Sequence, residues 1–340
     1  MTALLRPQLT KLTLSYVKEA AYGTEVVDGS VTKRFDFLQP NLADLTQEAV
    51  NDSDIIKGHE FQRDDVYNIL INQDITKPFE FVASAELLGL ILSMAHGTVV
   101  AAGSGPYTHT ITALNAATTD QLPSISMAET INGDTATYWK YKGVVVNDYM
   151  ISCENRGRIT CSGSFITDGS QTAKTSFSIP ASPETTNPMS GKDALFKWAN
   201  AGSGVVDQSS LLRGFKIGWN NNVDKGDARG QIGTGTAYLG CARFGNRQPT
   251  LTVKVWGNHG DAFHTDFVAR TLKIVEITLA GPNSTSVVFT FTRCKLMSAK
   301  PGFDGIRNTL DLEFEFYSTT TTTVTPVSIV ATNSIAAYLT

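Results

Sequence analysis

Apolar and polar positions alternate in short runs over most of this chain, and clusters of Gly, Asn, Asp and Ser separate the runs. That pattern predicts strands joined by turns. Phe79 to Val82, Tyr107 to Ile111, Gly143 to Met150, Thr250 to Trp256, Ser286 to Phe291 and Leu310 to Tyr317 are the clearest. Helical spacing is rare. From Ala85 to His96, residues Leu87, Leu88, Ile91 and Leu92 form one face, and Gly97 suits a left-handed C-cap. A second helix is expected from Asp261 to Lys273, with Phe263, Phe267, Val268 and Leu272 on one side. The fold class is therefore mainly β (α+β).

The order strand, helix, strands, hairpin occurs twice. Lys77 to Val82 leads into the first helix, and Leu251 to Trp256 into the second. A gapless shift of 151 residues sets Lys142 on Arg293, Val145 on Leu296, Val146 on Met297 and Arg156 on Arg307. It also sets Ile159 on Leu310, Cys161 on Leu312 and Phe165 on Phe316. Both segments read as a β-hairpin, and we expect two copies of one α+β domain. Three prolines between Ser178 and Pro188 mark a linker. The division expected is a first domain at residues 1–180, a linker at 181–209, a second domain at 210–318 and a C-terminal arm at 319–340. That arm opens on five threonines, Thr319 to Thr323.

The second strand of each hairpin sorts by face. Asp311, Glu313 and Glu315 share one side of their strand, and Leu312, Phe314 and Phe316 the other. Thr160, Ser162 and Ser164 form the matching polar side of the earlier strand. An ordinary solvated sheet and a strand lining a water-filled bore would both read this way.

At 340 residues, with 41% hydrophobic and 18% charged residues, the chain is neither disordered nor a coiled-coil rod. A formal charge of −4 is not that of a tight nucleic-acid binder. The halves differ: residues 1–190 carry 13 Lys+Arg and 21 Asp+Glu, residues 191–340 carry 15 and 11. Opposite potentials of this kind steer and register contacts between copies. Cys153, Cys161, Cys241 and Cys294 are too few for a disulfide scaffold and are expected as buried thiols. No secretory signal is read at the N-terminus. The most apolar run, Leu87 to Ala95, is too short to span a bilayer. The chain reads as made in the cytoplasm and soluble there.

Chemistry is sparse. His259, Asp261 and His264 could ligate a metal, but their spacing is not that of a helical zinc motif. Gly230, Gly233 and Gly235 are followed by a strand pattern, not by the helix that a dinucleotide fingerprint needs. Asp52 with Asp54, and Asp64 with Asp65, read as solvated loop acids. No cofactor, metal or enzymatic activity is expected.

The order of these motifs resembles that of the tail tube (major tail) proteins of long-tailed bacteriophages. The resemblance rests on Phe79 to Val82 with the Leu87-Leu88-Gly89-Leu90-Ile91 helix, and on Tyr107-Thr108-His109-Thr110-Ile111. It continues through Leu122-Pro123-Ser124-Ile125-Ser126, Tyr141-Lys142-Gly143 with its strand to Ile151, and Arg158 to Ile166. It covers residues 15–170 well and 210–317 as a diverged second copy. It implies a duplicated β-sandwich or partial barrel, each copy with a flanking helix, a long loop and extended arms. Six such domains form a ring, and rings stack into a tube whose bore is a continuous β-barrel. Two domains per chain imply a trimeric, pseudo-sixfold ring; one implies a hexamer.

On that resemblance the chain is a virion protein of a siphovirus-type tail. Its implied partners are itself, a tape measure protein in the lumen, and the tail terminator and distal tail proteins, with DNA only in passage. Thr160, Ser162, Ser164, Asp311, Glu313 and Glu315 are expected to face the lumen. Asn220, Asp224, Lys225, Asp227, Arg229 and Arg243 are expected in the loop touching the next ring. The alternative is a monomeric β-rich carbohydrate-binding module or adhesin with an exposed platform built from Trp139, Trp198, Trp219 and Trp256.

Overall fold

The structure, a computed structural model, describes residues 11–24, 33–38, 44–51, 68–114, 121–131, 138–174, 180, 182–223, 243–257, 262–305, 307–317 and 327–339. Strands dominate. The first group is β1 (Lys11–Lys18), β2 (Lys33–Leu38), β3 (Asp44–Asn51), β4 (Asn68–Val82), helix α1 (Ala85–His96), β5 (Gly97–Ala102), β6 (Tyr107–Ala113), β7 (Ile125–Ile131), β8 (Tyr138–Glu154), β9 (Thr160–Ile166) and β10 (Gln171–Lys174). The second is β11 (Leu195–Asn200), β12 (Val206–Asp207), β13 (Leu212–Asn220), β14 (Gln248–Trp256), helix α2 (Ala262–Ala269), β15 (Lys273–Ala280), β16 (Ser286–Asp304), β17 (Arg307–Phe316) and β18 (Val327–Asn333).

The strands pair antiparallel in one hydrogen-bonded network. Its central run is β3–β4–β9–β8–β13–β14–β17–β16. Two strands outreach that run. The first part of β8 enters β2–β1–β7–β8–β10. The first part of β16 enters β12–β11–β15–β16–β18–β6–β5.

The two groups pair in matching order. β7 lies between β1 and β8, and β15 between β11 and β16. One edge of β8 carries β9 and then β10, and one edge of β16 carries β17 and then β18. β4 joins β9 to β3, as β14 joins β17 to β13. Each long hairpin skips one residue, Asn147 in β8 and Met297 in β16. These bulges set the correspondence at 150 residues for the long strands, in place of the uniform 151 read from sequence.

Inward-facing residues of the facing sheets close over α1. Leu14 and Ile125 on one side, Phe79, Phe81 and Phe165 on the other, and Leu87, Leu90, Ile91 and Met94 of α1 surround one small gap. Every residue of α1 is buried, as its all-round apolar composition requires. Ser84 caps its start by accepting from the Leu87 N–H, and Gly97 ends it at φ 90°. The buried Glu86 carboxylate is satisfied by the backbone and side-chain nitrogens of Asn187. Gly89 is required by packing: a Cβ there would lie 2.1 Å from the Tyr338 hydroxyl.

Three expectations change. α2 is shorter than predicted, because Arg270 turns to φ 50° and Lys273 already begins β15. Phe263 is its buried residue, whereas Val268 is 68% exposed. The stretch read as linker carries β11 and β12, whose Phe196 and Trp198 enter the core. The C-terminal stretch contains β18, held between β16 and β6, while its threonine run lies outside the described residues. Cys153, Cys161 and Cys294 are buried free thiols; Cys241 lies outside the described residues.

Candidate functional site

The central run of strands has one face on the core and one toward solvent. Its alternation decides which side chains reach the outer face. In β9 the core takes Cys161 and Phe165, leaving Thr160, Ser162 and Ser164 outward and half-buried. In β17 it takes Leu310, Leu312 and Phe314. Glu313 and Glu315 are then exposed and Asp311 half-buried. All six residues expected on a polar wall share one face of one continuous sheet.

The registers order that face into rows. One row runs Val82, Thr160, Ser152, Lys216, Thr252, Glu313, Ser298. The next runs Glu154, Gly214, Lys254, Asp311, Lys300. Asp311 therefore stands between two lysines. Lys295 stands opposite Glu315. The acids on the face include Glu80, Asp148, Glu154, Asp304, Asp311, Glu313 and Glu315; the bases include Lys216, Lys254, Lys295, Lys300 and Arg307. Sequence reading missed the lysines, although Lys216 between Phe215 and Ile217, and Lys254 between Val253 and Val255, carry the alternation signal.

At one end of this sheet the Asn220-Asn221-Asn222 run roots a long connection between β13 and β14. The Asn220 side chain accepts from the Asn222 N–H. Asn221 is fully buried: its amide donates to the carbonyls of Ala95 and Val146, and its oxygen accepts from the Trp219 indole. The bulge residue Asn147 accepts from the backbone N–H groups of Asn221 and Val223. On the return side Gly245 donates to the carbonyls of Asn221 and Asn222, and the Arg247 guanidinium lies over Phe244 and Trp219. Of the loop residues singled out, Asn220 ends β13 and Arg243 bridges to Gln121. Asp224, Lys225, Asp227 and Arg229 lie outside the described residues.

Several buried ionisable groups elsewhere have structural partners. The Glu19 carboxylate accepts from Ser124, Ser126 and the N–H groups of Gly23 and Gly143, tying β1 to β7 and β8. Lys77 of β4 pairs with Glu129 of β7. Among the described residues no three His, Cys, Asp or Glu side chains converge as metal ligands; His259 and Asp261 lie outside them. Trp198 and Trp219 are buried, and Trp256 is covered by Arg213 and Arg307. Trp139 is partly buried against the core, so these four positions form no open aromatic platform.

The family model described as phage tail tube protein matches residues 10–332. The chain belongs to that family. No curated protein matches it. For a tail tube protein the wall and the loop root are the two features to explain, since a tail tube subunit works through its contacts with other copies. The family match also agrees with the β-rich fold and with a place in the virion tail.

Proposed function

We propose that the chain polymerises into stacked rings that form the tube of a siphovirus-type tail, through which DNA passes to the host. Each chain supplies two copies of the tube domain, so three chains make one pseudo-sixfold ring. The observation carrying this reading is the seam between the groups. β13, the edge strand of the second group, continues the sheet of the first by pairing with β8 over Gly214–Asn220. A sheet that adds one unit to the next in this way closes once enough units are joined.

In this reading the polar face lines the bore. Phosphate contacts with Lys and Arg make binding tight and salt-dependent, so a conduit must keep its lysines neutralised. Asp311 between Lys254 and Lys300, and Glu313 in the row of Lys216, do this. The mechanism is passive and has no catalytic step. The tape measure protein fills the lumen during assembly, and the terminator and distal proteins bound the stack. Subunits are made in the host cytoplasm before entering the virion.

Negative-stain microscopy with solution mass tests the reading. Hollow rings or tubes support it; a compact monomer that binds glycans contradicts it. An Asp311→Lys/Glu313→Lys/Glu315→Lys variant should assemble tails and eject DNA poorly. Normal ejection from such tails would remove the bore assignment.

A further inference from the structure

β4 faces the core with Ile75, Lys77, Phe79 and Phe81, and one of these four is charged. Lys77 is fully buried and meets Glu129, also buried, which reaches it from β7 in the facing sheet. The buried carboxylates of Glu19 and Glu86 each accept from several nitrogens or hydroxyls. Lys77 and Glu129 lack such support. Among the described residues, the Lys77 Nζ and the Glu129 Oε2 have no hydrogen-bond partner besides each other. The Tyr141 ring lies 5.5 Å from the Lys77 nitrogen.

In the second group the same place holds no charge. Val146 and Leu296 stand next to the matching bulges, and from them the pairings carry Phe165 onto Phe314 and Lys77 onto Leu251. The same correspondence carries Trp139 onto Phe289 and Glu129 onto Ile277. Leu251 and Ile277 are both buried. A buried ion pair with no further hydrogen bonds costs more in desolvation than its attraction returns, so apolar residues of similar size are at least as stable there. A dry core also favours moving the proton from nitrogen to oxygen, because the transfer cancels both charges. Burial acts the same way on Lys77, pushing its pKa down. The outcome is a neutral amine held against a neutral carboxylic acid, the two reactants of an amide.

We propose that Lys77 and Glu129 condense to an intramolecular amide that ties β4 to β7. The Nζ lone pair attacks Cδ of the protonated Glu129 carboxyl and forms the Nζ–Cδ bond. The Cδ–OH bond breaks, a proton from Nζ joins the departing hydroxyl, and one water leaves. No oxidant or co-reactant is needed. Fixed orientation of the two groups supplies the effective concentration that drives such a step, and exclusion of water from the core protects the product from hydrolysis. The bond removes two buried charges. It also joins the central run of strands covalently to the facing sheet, so the sheets of the first group cannot part there.

The test is the intact mass of the full chain, denatured after purification. It should be one water lighter than the sequence requires. A protease digest should contain a branched peptide joining the segments of Lys77 and Glu129. The control is the double variant Lys77→Leu/Glu129→Ile, which copies the residue types of the second group. It should show its full mass and migrate more slowly on a denaturing gel, because the loop between residues 77 and 129 is then open. An aspartyl succinimide loses the same water, so a deficit that persists in the double variant overturns the proposal. A parent chain of full mass, with its Lys77 and Glu129 peptides recovered separately, overturns it as well. Ring formation plays no part in these readouts, so failure here leaves the tube proposal standing.

Discussion

His96 shows how much of this molecule is settled one residue at a time. It ends α1, shares a hydrogen bond of 2.9 Å with the Tyr149 hydroxyl and packs on Trp219. Burial pushes its pKa down to about 3, with Arg247 adding to the effect. An unfolded chain would protonate it near the ordinary value of about 6.5. The unfolded state therefore takes up the proton first, and this stability contribution, full above that value, is lost as pH falls toward 3. At ~1.4 kcal/mol per pH unit the full loss is on the order of 5 kcal/mol. His96→Gln can keep the bond to Tyr149 without titrating. Urea unfolding at pH 7 and pH 4 should show a clearly smaller acid loss in that variant. The role of His96 was not legible in the sequence, because its partners Tyr149 and Trp219 stand on β8 and β13 and only the fold brings them together.

At the level of elements, local pattern carried far. Ala85–His96 is the helix that the spacing predicts, and Gly97 is its cap. Ser84→Ala should cost about 1 kcal/mol of stability through loss of the N-cap, measurable by denaturant unfolding. The second helix was overread because Val268 and Leu272 suggested a longer apolar side. A left-handed Arg270 cannot be foreseen from periodicity. Strand faces were legible in β9 and β17, where residue type alternates cleanly. The Asn run was legible as a turn but not as an anchor, since its hydrogen bonds reach α1 and the β8 bulge. Asn221→Ala should orphan the buried Trp219 indole and two carbonyls, costing about 2–3 kcal/mol. The accompanying sign would be faster proteolysis between Val223 and Arg243, compared with the parent chain under native conditions.

For the whole molecule, the order strand, helix, strands, hairpin reads twice in the sequence, and the strand pairings of the two groups follow a matching order, which supports the proposed two-copy reading. The offset between the groups is not constant, because the turn from β8 to β9 is longer than the turn from β16 to β17 and the β5–β6 hairpin has no counterpart among the described strands of the second group. Long-range pairing also hid the role of the C-terminal stretch: nothing near β18 in sequence announces its place between β16 and β6. The rooted loop makes a prediction at this scale. Deleting Asp224 to Gly235 should leave folded subunits that form rings but do not stack, checked by microscopy and sedimentation. Tubes of normal length from the deletion would remove that loop from the ring-to-ring contact. The most direct test of the account is the mass of an isolated ring, measured by native mass spectrometry alongside its rotational symmetry in micrographs. The account predicts three chains per ring with pseudo-sixfold averages. Six chains per ring would contradict the two-copy architecture.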